Sequence, residues 1–282
     1  MTLQTALLQG RKLLEDAGIL APRLTAEVLL AHAAGCKRSW LFAHSDEELK
    51  EVWWIHYGRY LHQRLEGMPT QYITGIQEFF GRDFRVTPDV LIPRPETEHV
   101  IETALKQSVS SILDIGTGSG AIAVTLALET EARVTATDIS SAALKIAQSN
   151  SRRLAALVDF VECDLGSALG DRTFDMVVSN PPYVAEKDRA TLEREVRDHE
   201  PALALFAGAD GFDVYARLIP EASRLLKPGG RLILELGFQS LEAVRGMLGR
   251  GWDNVEVVAD LAQVPRVLSA TARNSRPDGT GL

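Results

Sequence analysis

The four residues Asn180, Pro181, Pro182 and Tyr183 are the part of this sequence best suited to chemistry. They follow an apolar stretch, residues 175–179, that has the composition of a buried strand, so they fall at the carboxyl end of that strand, where ligands bind in open α/β sheets. The two prolines stiffen the backbone and donate no N–H. Two acceptors remain, the side-chain oxygen of Asn180 and the carbonyl oxygen of Pro181. They match the two hydrogens of an –NH2 group, and Tyr183 offers a flat face to a planar amide or base.

This pattern predicts a site that holds a planar, amide-like nitrogen. We expect Asn180, Pro181 and Tyr183 to be catalytic, and all four residues, Pro182 included, to contact the substrate. The lone pair of an amide nitrogen is delocalised, so hydrogen bonds that favour a pyramidal nitrogen would strengthen in the transition state, where they accelerate the reaction. A strong base is not required, because the proton becomes acidic only as the new bond to nitrogen forms. Accordingly, none of the six histidines lies in a recognisable motif.

A glycine-rich loop, residues 116–120, lies between a predicted strand and an alanine-rich helix that begins at Ala121. Glycines at this place let the backbone turn tightly and bring a ligand close to the main chain at a helix N-terminus. About 20 residues further on, at the end of the next strand, Asp138 can accept hydrogen bonds from both hydroxyls of a ribose. Because Ala121 can replace the last glycine of the dinucleotide pattern, the loop alone leaves an NAD enzyme open.

Together with the Asn180 segment, the loop predicts transfer of a methyl group from S-adenosylmethionine, with S-adenosylhomocysteine as product. Asp114 is a candidate anchor for the methionine ammonium. Asp164 could accept a hydrogen bond from the adenine amino group, and Leu165 could pack beside the ring. The predicted cofactor site consists of Asp114, Gly116, Thr117, Gly118, Ser119, Gly120, Asp138, Ile139, Asp164, Leu165 and Asn180. No metal site is predicted.

A strand-then-helix rhythm begins after residue 98 and positions these motifs. Helical stretches, for example 142–157 and 215–226, lie between predicted strands, which indicates a mostly parallel sheet covered on both faces. The predicted strands are 111–115, 133–137, 158–162, 176–179 and 231–236, and residues 255–260 and 266–270 are predicted to close the sheet as an antiparallel pair. The predicted fold class is therefore α/β, a Rossmann-like class I S-adenosylmethionine-dependent methyltransferase domain.

The chain before residue 99 has a different pattern of predicted secondary structure. Apolar residues recur at three- and four-residue steps over residues 2–66, which predicts a small helical bundle, and Ser45 with the acids after it is predicted to cap a helix. Strand-forming residues on either side of Gly81 predict a β-hairpin. We therefore predict a helical substrate-recognition domain over 1–75, a β-hairpin and extended linker over 76–98, the methyltransferase domain over 99–270, and a disordered tail over 271–282.

Charge and composition exclude several classes of protein. The net charge is −8, and residues 1–75 hold eight Lys/Arg and eight Asp/Glu, so the remaining 22 basic and 30 acidic residues carry all of it. Tight nucleic-acid binding depends on phosphate neutralisation by Lys and Arg, so we expect no stable binding to DNA or RNA. No apolar run reaches the length of about 18–20 residues that crosses a bilayer, and the first residues lack the features of a signal peptide. We expect a cytoplasmic monomer.

The connector resembles that of the peptide chain release factor glutamine N5-methyltransferases, the HemK/PrmC family. The runs that carry the resemblance are Pro69-Thr70-Gln71-Tyr72-Ile73-Thr74-Gly75, Glu78-Phe79-Phe80-Gly81, Phe84-Arg85-Val86, Leu91-Ile92-Pro93-Arg94-Pro95-Glu96-Thr97-Glu98, Glu200-Pro201-Ala202-Leu203-Ala204-Leu205 and Leu226-Lys227-Pro228-Gly229-Gly230. One departure is Leu165, where members of the family often carry an aromatic residue, and the roles of Arg94 and Glu96 cannot be derived from the sequence.

The resemblance implies a substrate, which the Asn180 segment by itself does not. It implies methylation of the glutamine of the Gly-Gly-Gln tripeptide in bacterial class 1 release factors, with Asn180 and Pro181 holding the glutamine amide and Tyr183 against it. The alternative is a nucleic-acid amino-methyltransferase acting on adenine N6 or guanine N2, which the acidic charge balance disfavours. Which release factor is preferred stays open at this point.

Overall fold

The computed structural model of the protein describes residues 1–273, and the chain divides into two compact units. The first consists of Met1–Ile76 together with Glu193–His199, and the second of Gln77–Leu192 together with the residues from Glu200 onward. The short segment Glu193–His199 thus packs with the helices of the first unit, although its sequence lies inside the second, which the sequence pattern did not predict. No helix in the described part of the chain is both long enough and apolar enough to cross a membrane.

The first unit is helical, as predicted. Its helices, numbered in chain order, are α1 (Leu3–Asp16), α2 (Pro22–Ala34), α3 (Arg38–Ala43), α4 (Glu51–Leu65), α5 (Thr70–Thr74) and, from the later segment, α9 (Arg194–His199). Leucines of α1 and α2 and the buried ring of Tyr57 form its core. Arg64 of α4 is buried and forms an ion pair of 2.6 Å with Glu195 of α9, so the later segment neutralises a charge inside the bundle.

The predicted helix cap at Ser45 is wrong. Helix α4 begins six residues later, at Glu51, and residues 45–48 form a turn. The carbonyl oxygens of Ser45 and Glu47 accept hydrogen bonds from the main-chain N–H groups of Gln4 and Leu3. These N–H groups belong to the first turn of α1, and the N–H groups of a first turn have no hydrogen-bond acceptor within their own helix. The turn therefore satisfies the start of a different helix.

A β-hairpin opens the second unit, as the sequence predicted. Strands β1 (Ile76–Phe79) and β2 (Arg82–Arg85) are joined by Phe80 and Gly81, both with positive φ, as a two-residue type I′ turn requires. The rings of Phe79 and Phe84 meet edge to face at 6.0 Å and are buried. A short 3₁₀ turn, Pro95–Thr97, then leads into α6 (Glu98–Ala104).

The second unit contains a seven-stranded sheet with five parallel strands and an antiparallel pair at one edge. The strands are β3 (Ser111–Ile115), β4 (Arg133–Asp138), β5 (Val158–Glu162), β6 (Phe174–Ser179), β7 (Leu226–Glu235), β8 (Trp252–Ala259) and β9 (Pro265–Ala272). Their order in the sheet is β5-β4-β3-β6-β7-β9-β8. The chain runs outward from β3 to β5, then returns to place β6 on the other side of β3. The topological switch point therefore lies between β3 and β6.

Helices cover both faces of this sheet. They are α7 (Ala121–Glu129), α8 (Ser141–Leu154), α10 (Ala202–Leu205), α11 (Asp213–Leu225) and α12 (Leu241–Leu248), in addition to α6. Alternate strand residues serve opposite faces: Leu113 packs in the core beneath α11 and α12, and Ile112 packs with α6 and α7. This is the period-two pattern expected of a sheet buried on both sides.

The end of the domain differs from the prediction. Strand β9 continues through Thr271 to Ala272, and Thr271 and Ala272 pair with strands β7 and β8, so the boundary at residue 270 is two residues short. Arg273, also in the predicted tail, forms an ion pair with Asp253, and residues 274–282 lie outside the described residues. Strand β7 also begins earlier than predicted, at Leu226, because Leu226 pairs with Phe174 across an irregularity in the register.

Candidate active site

A cavity lies at the carboxyl ends of β3, β4 and β6, beside the topological switch point. It is where an open α/β sheet binds its ligands. Predicted cofactor and substrate residues contribute to its wall from both sides of the switch point. Its lining consists of Asp89, Val90, Leu91, Ile115, Gly116, Gly118, Asp138, Ile139, Ser140, Ala143, Cys163, Asp164, Leu165, Ser179, Asn180, Pro181, Pro182, Pro201, Leu203, Ala204, Val214, Arg217 and Leu218.

The glycine loop follows β3 and gives one wall of the cavity. Gly116 and Gly118 have positive φ values of 75° and 54°, and a β-carbon added at either would meet only open space. These two glycines are therefore needed for the backbone conformation, and the space beside them is available to a ligand. Gly120 differs, because a β-carbon there would lie 3.1 Å from Ala147, so it allows helix α8 to approach the loop.

Asp138 links the loop to the end of β4. One carboxylate oxygen accepts a hydrogen bond of 2.8 Å from the N–H of Gly118, and the other accepts one of 2.8 Å from the N–H of Ser140. Burial raises the pKa of this carboxyl, and the main-chain hydrogen bonds oppose the rise. The carboxylate has about four lone-pair sites in all, so Asp138 can still accept a hydrogen bond from a ribose in the cavity that it lines.

Asp114 lies beneath the glycine loop and is fully buried. Its Oδ2 accepts a hydrogen bond of 2.6 Å from the Thr117 hydroxyl, and its Oδ1 has no hydrogen-bond partner within the described residues. Burial raises the pKa of Asp114 to about 7. Asp114, Thr117, Ser119 and Gly120 do not belong to the cavity lining among the described residues. Asp114 lies beneath the loop and the other three belong to it without lining the cavity, so a direct contact between any of these four and the cofactor stays a prediction.

The opposite wall carries the remaining predicted cofactor residues. Ile139 and Leu165 line the cavity, and Leu165 has a positive φ of 53°. Asp164 lines the cavity as well, but its carboxylate is paired with the guanidinium of Arg217 on the surface. A hydrogen bond from an adenine amino group to Asp164 would therefore be shared with this cation.

Asn180 and Pro181 follow β6 and present the two expected acceptors. The side-chain nitrogen of Asn180 donates a hydrogen bond of 3.1 Å to the hydroxyl oxygen of Thr97. This bond uses the –NH2 group of the amide. Within the described residues, neither the Asn180 Oδ1 nor the Pro181 carbonyl oxygen accepts a hydrogen bond. Both residues line the cavity, as does Pro182.

Tyr183 stands apart from its three neighbours, since it is not in the described lining of the cavity. Its ring packs against Gly237, where an added β-carbon would lie 2.8 Å from the ring, and its carbonyl oxygen lies 2.5 Å from the corresponding position at Gly211. Burial raises the pKa of its hydroxyl. The two glycines hold Tyr183 closely, and its contact with a substrate stays a prediction.

The structure also brings in residues that the sequence analysis did not assign to the site. The hydroxyl of Thr97 accepts the hydrogen bond from Asn180. The sequence analysis named Thr97 only as part of the run that resembles the family and gave it no role in the site. Glu200 is buried and forms an ion pair of 2.5 Å with Arg94, and Glu96 lies 3.8 Å from Arg266. Arg94 and Glu96 thus fix the connector through ion pairs. No local pattern marked Glu235, the buried carboxyl at the end of β7.

Three observations are compatible with the predicted S-adenosylmethionine site. There is open space beside Gly116 and Gly118, the Asp138 carboxylate lines the cavity and can accept hydrogen bonds, and Leu165 gives the wall an apolar side chain. Which part of the cofactor each residue contacts stays a prediction. The free oxygens of Asn180 and Pro181 lie at the same cavity, where an –NH2 group could donate to both. The arrangement can therefore bring a methyl donor and an amide nitrogen together.

Two family models match this chain. The one described as "PrmC N-terminal domain" covers residues 5–75, and the one described as "Methyltransferase small domain" covers residues 96–203. A release factor glutamine methyltransferase of Koribacter versatilis is 47% identical to the chain, over 95% of this chain and 98% of that protein. The chain belongs to the release factor glutamine methyltransferase family.

Two further members of the family agree. The release factor glutamine methyltransferase of Moorella thermoacetica is 43% identical, over 97% of this chain and 99% of its own length. That of Nitratidesulfovibrio vulgaris is 41% identical, over 98% and 97%. The resemblance drawn from the connector is thereby confirmed, and the members of this family are enzymes that use S-adenosylmethionine.

Solved structures support the fold class. A methyltransferase from Pyrococcus furiosus superposes with a TM-score of 0.55 at 20% identity, covering 77% of this chain and 99% of its own. A Thermus thermophilus 16S rRNA N2 G1207 methyltransferase in complex with AdoMet and guanosine superposes with a TM-score of 0.53 at 21% identity, covering 70% and 50%. At these identities the likeness concerns the fold alone, and it confirms the predicted class I methyltransferase architecture.

Proposed function

We propose that this protein transfers the methyl group of S-adenosylmethionine to the side-chain amide nitrogen of a glutamine in a peptide chain release factor. Its membership of the release factor glutamine methyltransferase family supports the substrate class. The observation that carries the chemistry is the pair of free acceptors, Asn180 Oδ1 and the Pro181 carbonyl oxygen, at the cavity edge. A primary amide has two N–H groups to donate, one to each acceptor.

The protein's part in the reaction is to hold and orient the amide. S-adenosylmethionine, when bound, supplies an electrophilic methyl group. Asn180 and Pro181 take the two amide hydrogens and so direct the nitrogen lone pair into the cavity, and orientation of this kind can lower the barrier by several kcal/mol, up to about 7–11. As the nitrogen becomes pyramidal its N–H groups become more acidic, so both hydrogen bonds strengthen in the transition state. The nitrogen gains a methyl group and releases one proton.

The modified position that we propose is N5 of the glutamine in the Gly-Gly-Gln tripeptide of class 1 release factors. The test is mass spectrometry of a purified release factor incubated with this protein and S-adenosylmethionine. We expect one methyl increment on the peptide that contains the tripeptide. A release factor with that glutamine replaced by glutamate, which lacks the –NH2 group, is the matched control and should gain none.

The same experiment decides against the alternative substrate class. Ribosomal RNA and DNA are incubated in parallel, and we expect no methylation of either, because the chain carries a net charge of −8. Methylated adenine or guanine in those samples, with an unmodified release factor, would show that the substrate is a nucleic acid.

We further propose that the helical unit, residues 1–75 with α9, recognises the release factor. Exposed apolar side chains support this, among them Leu20, Ile55 and Leu8, which are 71%, 61% and 58% exposed. Ile55→Glu should raise the KM for intact release factor and leave the KM for a short Gly-Gly-Gln peptide unchanged. Leu157→Glu is the control, since Leu157 is also an exposed apolar residue, at 89%, but belongs to the other unit. The Leu8→Glu and Leu20→Glu variants are measured in the same way. If all three variants have the wild-type KM for intact release factor, the helical unit does not recognise it through these side chains.

We also propose that the enzyme acts as a monomer in the cytoplasm. A substrate that takes part in translation supports this location. Sedimentation at working concentration, with and without release factor, tests the oligomeric state, and a dimer in the absence of substrate would contradict it.

A further inference from the structure

A buried carboxyl group at the end of β7 has no role in the site as described so far. Glu235 is 2% exposed, and its Oε2 has no hydrogen-bond partner within the described residues. Its main-chain oxygen accepts a hydrogen bond of 2.7 Å from the buried hydroxyl of Tyr215, which fixes the strand end. A buried carboxyl without a full set of partners is costly to fold, so its position calls for a functional explanation.

Thr97 connects this carboxyl to the substrate acceptor. It is 4% exposed, its hydroxyl oxygen accepts the hydrogen bond from Asn180 Nδ2 at 3.1 Å, and its side chain is close enough to the Glu235 carboxyl to lower the pKa of that group. A threonine hydroxyl has one proton to donate and two lone pairs that accept. When the carboxyl is ionised it can only accept, so the single proton of Thr97 goes to Glu235. The Thr97 oxygen then accepts, and the group facing it must be the –NH2 of Asn180.

We propose that Thr97 and Glu235 are positioning residues that hold the Asn180 amide with its oxygen toward the substrate. This inference rests on the proposed function, because it assumes that Asn180 Oδ1 receives the substrate –NH2. An Asn side chain can rotate by half a turn at little steric cost, and the reversed amide would face the substrate –NH2 with another –NH2. The direction of the Thr97 hydrogen bonds selects the productive orientation.

The direction of this relay depends on the charge of Glu235. Burial is the main cause that raises the pKa of Glu235 to about 7, and nearby Glu96 adds to the rise, whereas the Thr97 side chain, Arg266 and Arg94 oppose it. The phenol of Tyr183 also faces this group. Once protonated, the carboxyl can donate to Thr97, which frees the Thr97 proton for Asn180 and permits the reversed amide. Turnover should therefore fall as the pH drops below about 7.

The first test compares Thr97→Val, which keeps the shape but removes the hydroxyl, with Thr97→Ser, which keeps the hydroxyl. With full-length protein and release factor, Thr97→Val should lower kcat at least tenfold, and the Kd for S-adenosylmethionine should stay within twofold of wild type. Thr97→Ser should restore kcat to within about threefold of wild type. If both variants lose activity equally, or if Thr97→Val keeps wild-type kcat, the relay has no positioning role.

The second test reads the amide itself and does not need turnover. In a nitrogen-15 NMR spectrum of the full chain, the side-chain –NH2 signal of Asn180, assigned with Asn180→Asp, should shift with a midpoint near pH 7. Glu235→Gln should abolish that titration and flatten the kcat profile below pH 7. A signal that does not titrate, or that titrates unchanged in Glu235→Gln, overturns the proposal. If the wild type does not methylate release factor while this titration is present, the proposed substrate fails and the relay stands.

Discussion

The loop after β3 and the segment after β6 end adjacent strands at the same edge of the sheet, yet they present opposite hydrogen-bonding groups to the cavity. The glycine loop, residues 116–120, offers main-chain backbone and is held from behind by the carboxylates of Asp114 and Asp138. The Asn180 segment offers two oxygens and is held by the hydroxyl of Thr97 and the backbone of Gly237.

The difference shows two ways to shape a binding surface. Glycines obtain an unusual backbone through freedom at φ, so their loop must be fixed by other side chains. Prolines obtain rigidity by covalent restraint and remove the competing donors. A glycine loop suits a cofactor that must lie close against the protein backbone. A proline-containing segment suits an –NH2 group that needs two acceptors at a fixed separation. The following changes test this division from the largest expected effect to the smallest.

Asn180→Ala should abolish nearly all turnover and leave the fold intact. Loss of one preorganised hydrogen-bonding group in an active site costs roughly 10²–10³ in kcat, and Asn180 supplies one of two acceptors. The measurement is kcat at saturating S-adenosylmethionine and release factor, with circular dichroism as the control for folding. Activity within a few fold of wild type would contradict our account of amide orientation.

Asp114→Asn should change how stability depends on pH. The folded pKa of Asp114 is about 7, above its ordinary value of 3.8, so the fold favours the protonated form. That favourable contribution is complete below about pH 4 and is lost as the pH rises through 7. Relative to the wild type, the Asn variant should gain unfolding free energy over this range, by up to about 4 kcal/mol at 1.36 kcal/mol per pKa unit. Urea unfolding at pH 5 and pH 8 measures the gain, and a difference that is the same at both values would rule out a raised pKa.

Asp138→Ala should weaken S-adenosylmethionine binding by about 1–3 kcal/mol, the scale of hydrogen bonds to a charged group. At saturating cofactor, kcat should change little, because Asp138 does not touch the amide acceptors. Calorimetry gives the binding free energy, and Asp164→Ala, whose carboxylate is half exposed and paired with Arg217, is the comparison with a smaller expected loss. Unchanged affinity in the Asp138 variant would remove it from the ribose site.

Gly237→Ala should perturb the substrate side alone, since its β-carbon would lie 2.8 Å from the Tyr183 ring. We expect a loss of about 1 kcal/mol or slightly more in stability from overpacking, together with reduced kcat and unchanged cofactor affinity. Gly246→Ala is the matched control, because nothing lies within 4 Å of its added carbon and α12 should gain up to about 1 kcal/mol. If the two variants behave alike, the Tyr183 contact has no role in turnover.

Much of this site could be predicted from local patterns. Strands β3 and β5 have the predicted bounds because turn-forming or polar residues limit the apolar runs on both sides. The Asn180 segment was predicted because prolines and acceptors at a strand end have few structural explanations. Strand β7 was predicted to start at residue 231, and it starts earlier because Leu226 pairs with Phe174 of β6 before the register shifts to Arg231 and Met176. A local pattern does not show such a pairing.

The residues that the sequence analysis missed act over long separations. Thr97 and Asn180 are 83 positions apart, and Glu235 lies further still along the chain, so no periodicity or spacing links the three. Tyr183 was expected to lie flat against the substrate, but a pattern cannot show which surface an aromatic ring covers, and its packing on Gly237 is a tertiary contact. The residues expected to contact the ligands could therefore be predicted from the sequence, but the distant residues that hold them in place could not.

The ion pair between Arg64 and Glu195 has a consequence for biosynthesis. When the first 76 residues have been synthesised, every helix of the bundle except α9 is present. The guanidinium of Arg64, which is 7% exposed in the finished protein, then still lacks its ion-pair partner Glu195. An unpaired buried cation is strongly destabilising. The bundle therefore reaches its full stability only after residue 199 has emerged, and the two units mature in an interleaved order.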